Sequence, residues 1–206
     1  MDLIAIDGLA GTGKSTLAKA LAIRLGLNHL DTGASFRMMA WAALNSGVNL
    51  DIESEVLKAT KDILITYESG RSSVNNKDVT MEIRDERVSA AASRIAIHPG
   101  LRMRLLQWQR KWVSDHGASV VEGRDTTSVI FPDAAVKVYL EADPLIRASR
   151  RVESSANGIA ERDMRDLSRT AAPLKRVADA VVIDTSTLPV SDIEDIVVAL
   201  WEKRKA

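Results

Sequence analysis

Apolar residues along this chain fall into two alternating patterns. One is a short run: Leu3-Ile4-Ala5-Ile6, Leu27 to Leu30, Ala118 to Val121, Val136 to Leu140 and Ala180 to Ile183. Such runs predict strands, and the most apolar of them predict strands buried on both faces. The other is a stripe at helical spacing. Leu17, Ala18, Leu21 and Leu25 form one, with Lys19 and Arg24 on the opposite side. Met38, Met39, Trp41, Ala42 and Leu44 form the next, ended by Gly47. Further stripes run from Ile52 through Val56 and Leu57 to Leu64, from Val88 to Ile95, from Leu101 through Leu105 and Trp108 to Trp112, and through Ile193, Ile196, Val197 and Leu200. Helices are therefore expected over 51–66, from about Asp85 to before Pro99, over 143–152, and at the end of the chain, where Ser191-Asp192-Ile193-Glu194 reads as a capping box. Residues 63–83 break the alternation: Ile63 to Tyr67 has strand propensity, and Ser69-Gly70 and Asn75 to Asp78 are turn signals. A small antiparallel β insert is expected there. Strands alternating with helices elsewhere predict an α/β fold, a parallel sheet with helices on both faces.

Composition changes this picture little. A chain of 206 residues suits one domain with insertions, and 46% hydrophobic with 27% charged residues is ordinary for a globular protein. Lys plus Arg and Asp plus Glu both number 28, so no net basic field points to nucleic acid. The absence of cysteine removes thiolate chemistry and disulfides and suits the cytoplasm. No signal peptide or membrane-spanning stretch is expected. His29, His98 and His116 show no ligand spacing and are read as structural.

The sharpest chemical signal is Gly8-Leu9-Ala10-Gly11-Thr12-Gly13-Lys14-Ser15, the G-x-x-x-x-G-K-[ST] phosphate-binding loop, placed between a predicted strand and a predicted helix. A helix N-terminus offers unpaired N–H groups and the positive end of the helix dipole to one point. Gly8, Ala10, Gly11, Thr12, Gly13, Lys14, Ser15 and Thr16 are the residues expected to bind a nucleotide triphosphate, with Lys14 on the β- and γ-phosphates and the Ser15 hydroxyl on Mg²⁺.

Charge gathers at two other strand ends. Asp31-Thr32-Gly33 follows the second strand and leads to Phe36 and Arg37, where Arg37 alone reads as a surface arginine on a capped helix. Glu122-Gly123-Arg124-Asp125 follows an apolar strand, and burying unpaired charge is costly, so these residues should face a cleft or each other. Arg162, Asp166 and Arg169 share one helical face, as an ion-pair ladder or as a positive clamp. Arg37, Arg124, Arg150, Arg151, Arg162, Arg165 and Arg169 together exceed what one triphosphate needs. They suit transfer of a phosphoryl group to an acceptor that is itself phosphorylated, where two polyanions must be neutralised.

With these residues, the chain resembles the bacterial cytidylate kinases, of the nucleoside monophosphate kinase superfamily. The resemblance extends through Glu82-Ile83-Arg84, Phe131-Pro132-Asp133-Ala134, Glu161-Arg162-Asp163, Ala172-Pro173-Leu174 and Ala178 to Thr185. It implies a P-loop nucleoside monophosphate kinase fold with a five-stranded parallel sheet, and transfer of the γ-phosphoryl group of ATP to CMP or dCMP with Mg²⁺. It implies a core over 1–32, 101–149 and 164–206, a monophosphate-binding domain over 33–100 that holds the β insert, and a lid over 150–163. By matching position it assigns the acceptor to Thr32, Phe36, Arg37, Ser93, Arg102, Arg124, Asp125, Arg162, Asp166 and Arg169. Arg37, Arg124 and Arg169 take the acceptor phosphate, whereas Ser93, Arg102 and Asp125 read the cytosine. Asp125 can accept from the exocyclic amine, and uracil has a carbonyl at that place. The catalytic set it implies is Lys14, Arg124, Arg150, Arg162 and Arg169. A cytoplasmic monomer with no nucleic-acid or membrane partner is expected. Kinases of the same fold acting on AMP, UMP or shikimate, and a nucleotide-dependent switch without turnover, are the competing readings.

Three departures from that family stand out. Phe36 replaces the usual tyrosine, so a hydroxyl contact is lost while ring packing remains. Thr126-Thr127 stands where a glycine-containing pair is usual. The lid is short, with only Val152 to Ala160 between Arg151 and Glu161. Lids exclude water from the reacting phosphates. A short one should leak: ADP release from ATP without CMP is expected to be faster here than in a long-lid relative, and an equal or slower rate refutes this.

Overall fold

The central strand is β1 (Leu3–Gly8), buried at every position. The protein is known from a computed structural model that describes residues 1–150, 163–164 and 172–205. Beside β1 lie β6 (Ser119–Gly123) and β7 (Val136–Glu141), with β2 (Asn28–Asp31) and β8 (Val181–Asp184) at the edges. The sheet order is β2-β6-β1-β7-β8. β1 runs parallel to β6 and β7, and β7 parallel to β8. The expected five-stranded parallel α/β sheet is therefore present. Its order reverses at β1, the position where open α/β sheets place ligands at their C-terminal edge.

Two helices close one part of the core against this sheet: α1 (Lys14–Leu25) and the C-terminal helix α7 (Val190–Lys205). Ile4, Ile6, Leu17, Leu21, Val138, Val197 and Trp201 belong to one buried cluster. α1 stops where expected, at Gly26, which takes φ 64° and returns its N–H to the last turn. The short helix α6 (Pro144–Ser149) starts with Pro144 in its first turn and the Asp143 carboxylate accepting from the Leu145 and Ile146 amides at 2.8 and 3.4 Å.

The chain forms two compact units, residues 1–30 with 112–206, and Asp31–Lys111. In the second, α2 (Thr32–Asn45) packs against α4 (Glu86–Ile95). This unit also holds α3 (Glu53–Ala59), most of α5 (Pro99–His116) and the β insert, which is a three-stranded antiparallel sheet of β3 (Ile65–Glu68), β4 (Arg71–Val74) and β5 (Lys77–Asp78). Both hairpin turns have left-handed central residues: Ser69 and Gly70 at φ 51° and 83°, Asn75 and Asn76 at φ 48° and 64°. That is the geometry whose twist matches antiparallel strands. Arg94 makes a bidentate bond to Asp51, at 3.1 and 2.6 Å, tying the loop before α3 to α4.

Several expected boundaries move. The helix expected over 51–66 is confined to Glu53–Ala59. The Thr60 hydroxyl donates to the Val56 carbonyl and Arg104 donates to the Thr60 carbonyl, so the last turn is closed off before the β insert begins. The helix expected over 143–152 ends at Ser149, and residues beyond Arg150 lie outside those described up to Asp163. The capping box at Ser191 does not form. The helix begins one residue earlier, and the Ser191 hydroxyl donates to Asp192 instead. Ile196, expected inward, is 40% exposed, because the inward face of α7 follows Ile193, Val197 and Trp201.

The inward face of α1 makes a direct test. Leu21 is fully buried whereas its neighbour Ile23 is 84% exposed. Leu21→Ala should destabilise by about 2–5 kcal/mol, and Ile23→Ala by less than about 0.5 kcal/mol, in urea melts of the two variants.

Candidate functional site

In the first unit the C-terminal edge of the sheet carries the phosphate loop. Gly13 takes φ 88° and directly precedes α1, so the loop runs straight into the helix N-terminus. Gly11 takes φ 78°, and a Cβ there would meet the Arg147 carbonyl oxygen at 2.6 Å. Lys14 is buried, and its Nζ donates to the loop's own Leu9 carbonyl at 2.7 Å. The Thr12 hydroxyl donates to the same carbonyl at 2.9 Å. The loop thus forms its cradle from internal bonds and keeps its cation folded across it.

The parallel register sets what faces the loop. Ile6 pairs with Glu122 and Asp7 with Gly123, so Glu122 reaches the same edge as Gly8. The Ser15 hydroxyl donates to Glu122 Oε2 at 2.7 Å, and His29 Nε2 lies 3.3 Å from Glu122 Oε1. Glu122 is buried, and both of its oxygens have partners. Three hard oxygen donors, one hydroxyl and one carboxylate, stand at the loop where a divalent cation would be held. The sequence singled out the Glu-Gly-Arg-Asp cluster but gave Glu122 no role of its own. What links it to Ser15 is strand register, which has no short-range signal.

Arg124 and Asp125 follow immediately. After them the chain makes one π-helical turn, Thr126–Ile130, in which the Asp125 carbonyl accepts from Val129 and Ile130 at 2.9 and 3.1 Å. The two amides that this turn cannot satisfy are taken by Asp7: Thr126 N–H donates to Oδ1 at 2.9 Å and Thr127 N–H to Oδ2 at 2.8 Å. Burial pushes the Asp7 carboxyl above the usual range, while these bonds pull it down.

α6 contributes Arg147, which is buried, donates to the Ala10 carbonyl at 3.1 Å and pairs with Asp163. Asp163 in turn accepts from the Ala10 amide at 3.4 Å. Arg150, the expected catalytic residue of this helix, donates to the Thr185 carbonyl at 2.6 Å and to its hydroxyl at 3.1 Å, and that hydroxyl lies 3.0 Å from the Thr12 carbonyl. Arg147 and Asp163 are therefore loop contacts that the residue pattern did not separate from their charged neighbours. Arg151, Arg162, Arg165, Asp166, Arg169 and the expected lid segment up to Arg162 lie outside the described residues.

In the second unit, Asp31 caps α2 by accepting from the Ala34 amide at 3.1 Å, and its other oxygen takes Arg37 Nη2 at 2.5 Å. Arg37 is accordingly not a loose surface arginine: its side chain is 12% exposed and its Nε has no hydrogen-bond partner. Ser93, on α4, is buried with its hydroxyl likewise without a partner. The Arg102 guanidinium donates to the Ala96 carbonyl at 3.0 Å and stands 5.4 Å from the centre of the Phe36 ring. The ring that replaces tyrosine thus serves as a cation–π platform for an expected base-reading arginine. Thr32 is buried in the first turn of α2.

The remaining histidines are structural, as expected. His98 bonds to the Leu50 carbonyl, and His116 bonds to Trp112 and stacks on its ring.

The family model for cytidylate kinase matches residues 4–203. A cytidylate kinase of Pelotomaculum thermopropionicum is 42% identical over 213 residues, covering 95% of this chain and 94% of its own. A bifunctional pantoate ligase/cytidylate kinase of Synechococcus sp. is 39% identical over 220 residues, which is 98% of this chain and 40% of the relative. The chain thus spans less than half of that longer relative. Among solved structures, a gluconokinase from Sinorhizobium meliloti 1021 superposes with a TM-score of 0.51 over 97% of this chain and 91% of its own. At 14% identity that likeness concerns the fold alone.

The loop geometry ranks two substitutions. Gly13→Ala meets no atom within 4 Å and carries only the strain of its positive φ, about 1–2 kcal/mol. Gly11→Ala adds a backbone overlap to the same strain. In thermal melts without nucleotide, Gly11→Ala should lower the melting temperature further than Gly13→Ala; equal losses would mean that α6 yields freely to the loop.

Proposed function

The chain belongs to the cytidylate kinase family, and from that membership we propose that it transfers the γ-phosphoryl group of ATP to CMP or dCMP, giving ADP and CDP or dCDP. The observation that carries the acceptor half of this reading is a pair of unmet donors. The Thr126 and Ser128 hydroxyls and Arg147 Nε are buried without a partner among the described residues, and so are Arg37 Nε and the Ser93 hydroxyl, the two that carry this reading. A buried donor left unsatisfied costs about 1–3 kcal/mol, so such groups point to a ligand that satisfies them. Both belong to the set proposed for the monophosphate.

The roles follow from chemistry. The oxygen of the acceptor phosphate attacks the γ-phosphorus, and the bond from that phosphorus to the bridging oxygen of ADP breaks, so no protein nucleophile is needed. The loop amides and Lys14 hold the donor phosphates, which requires Lys14 to exchange the Leu9 carbonyl for phosphate oxygens. Arg37, Arg124 and Arg169 are assigned to the acceptor phosphate, and Arg150 and Arg162 to the charge that develops in transfer. Ser93, Arg102 and Asp125 are assigned to the cytosine, Asp166 with Arg162 to the sugar and phosphates, and Thr32 and Phe36 to the same acceptor site. Mg²⁺ fits the oxygen donors at the loop: the Ser15 hydroxyl and the Glu122 carboxylate would hold it. When bound, it neutralises the β- and γ-phosphate oxygens. The compact unit Asp31–Lys111, which contains the proposed monophosphate-binding domain 33–100 and extends beyond it at both ends, supports that reading. The same reading is of a cytoplasmic monomer, which the cysteine-free composition suits. No helix among the described residues is long and apolar enough to cross a membrane.

The test is ADP formation from Mg·ATP with CMP, dCMP, UMP, AMP or no acceptor, for wild type and Asp125→Ala. Strong turnover with CMP and dCMP, weak turnover with UMP, and at least about a tenfold loss of that preference in the variant are expected. Preference for AMP or UMP would overturn the base assignment. ADP formation indifferent to the acceptor would indicate a nucleotide-dependent switch or plain hydrolysis.

A further inference from the structure

Asp7 is fully buried at the end of the strand that feeds the phosphate loop, and it accepts a third bond that no backbone group supplies. The Thr127 hydroxyl donates to Asp7 Oδ2 at 2.6 Å, beside the amide bond from the same residue at 2.8 Å. Thr127 is itself fully buried. A glycine at 127 would offer the amide but no hydroxyl, so this bond depends on the chain's own Thr127. Asp7 Oδ2 is shared by two donors from one residue, which fixes both the backbone and the side chain of Thr127 relative to β1.

The consequence falls on the residues just before. Asp125 lies between this clamp and the π-helical turn: its own carbonyl is held by Val129 and Ile130, and the next two amides are held by Asp7. Asp7 and Asp125 also repel each other as carboxylates. An anchor that only attracted would not be needed where charges were comfortable. Here the backbone bonds hold Asp125 near a like charge.

We propose that Thr127, acting through Asp7, is a positioning residue that sets Arg124 and Asp125 for recognition of the cytidine monophosphate. It touches neither substrate. Its effect is to hold the acceptor-reading segment in fixed register with the base of the phosphate loop, so that loosening it changes acceptor binding and base discrimination while the ATP half is untouched. This rests on the proposed reaction.

The experiment compares Thr127→Val, which keeps the shape and removes the hydroxyl, with Thr127→Ser, which keeps the hydroxyl. Steady-state kinetics with CMP, UMP and ATP and a thermal melt are measured for each. Thr127→Val is expected to raise the KM for CMP about fivefold and to lower the ratio of kcat/KM for CMP over UMP about threefold or more, with the KM for ATP within about twofold of wild type. Thr127→Ser is expected to restore wild-type values of both. Should valine not fold, Thr127→Ala is read in the same way. The proposal is overturned if the hydroxyl-free variant loses melting temperature alone, if the KM values for CMP and ATP rise together, or if serine fails to rescue. A wild type without preference for CMP over UMP overturns the proposed reaction and this inference with it. A CMP-selective wild type beside an unchanged Thr127→Val overturns this inference only.

Discussion

The parallel hydrogen-bond register between β1 and β6 is the constraint from which the site follows. Pairing Ile6 with Glu122 and Asp7 with Gly123 brings the start of the phosphate loop and the Glu-Gly-Arg-Asp segment to one edge of the sheet. A slip of one residue would turn Glu122 to the opposite face of its strand, because side chains alternate along it. Ser15 would then lose its carboxylate, and Asp7 would lose the turn it caps. The register is secured by burial: every residue of β1 and β6 is buried, so a slipped strand would turn polar groups into the core.

A second theme is how this protein pairs its cations with its own groups. Arg37 rests on Asp31, Arg147 on Asp163, Arg150 on Thr185, and Lys14 on the Leu9 carbonyl. Arg147 and Lys14 are buried, and a buried cation without a partner would be severely penalised, so each is held against a group from its own unit. Such storage is also preorganisation. On the proposed reaction, arginines already held in fixed directions need less rearrangement to meet phosphate oxygens, which is where electrostatic catalysis gains most over water. Arg37 shows both aspects, with one nitrogen on Asp31 and another without a protein partner.

Much of this was legible in the order of residues. The phosphate loop, its flanking strand and helix, the Gly26 stop, the alternating α/β pattern and the β insert with its Ser-Gly and Asn-Asn turns all depend on neighbours close in sequence. The misplacements come from partners distant in sequence. The helix after Ile52 ends early because Arg104, over forty residues away, takes the Thr60 carbonyl. The last helix turns its face toward Trp201 and not Ile196 because the sheet beneath it, and not its own periodicity, decides which stripe is covered. Thr126-Thr127 had no reading in sequence, since its partner is Asp7 on another strand.

By itself, then, the sequence determined that the chain binds a nucleotide triphosphate through a strand-loop-helix unit, that the fold is α/β, and, through its family motifs, which reaction to test. Those conclusions rest on backbone conformation and on residue types within a few positions of one another. Only the tertiary structure decided that Glu122 serves Ser15, that Arg147 and Asp163 brace the loop, that Phe36 carries Arg102, and that Asp7 holds the turn behind Asp125. Each of these joins residues through strand register or helix packing. A hydrogen bond is specified by distance and direction in space, and the chain's order does not contain those until the sheet has formed.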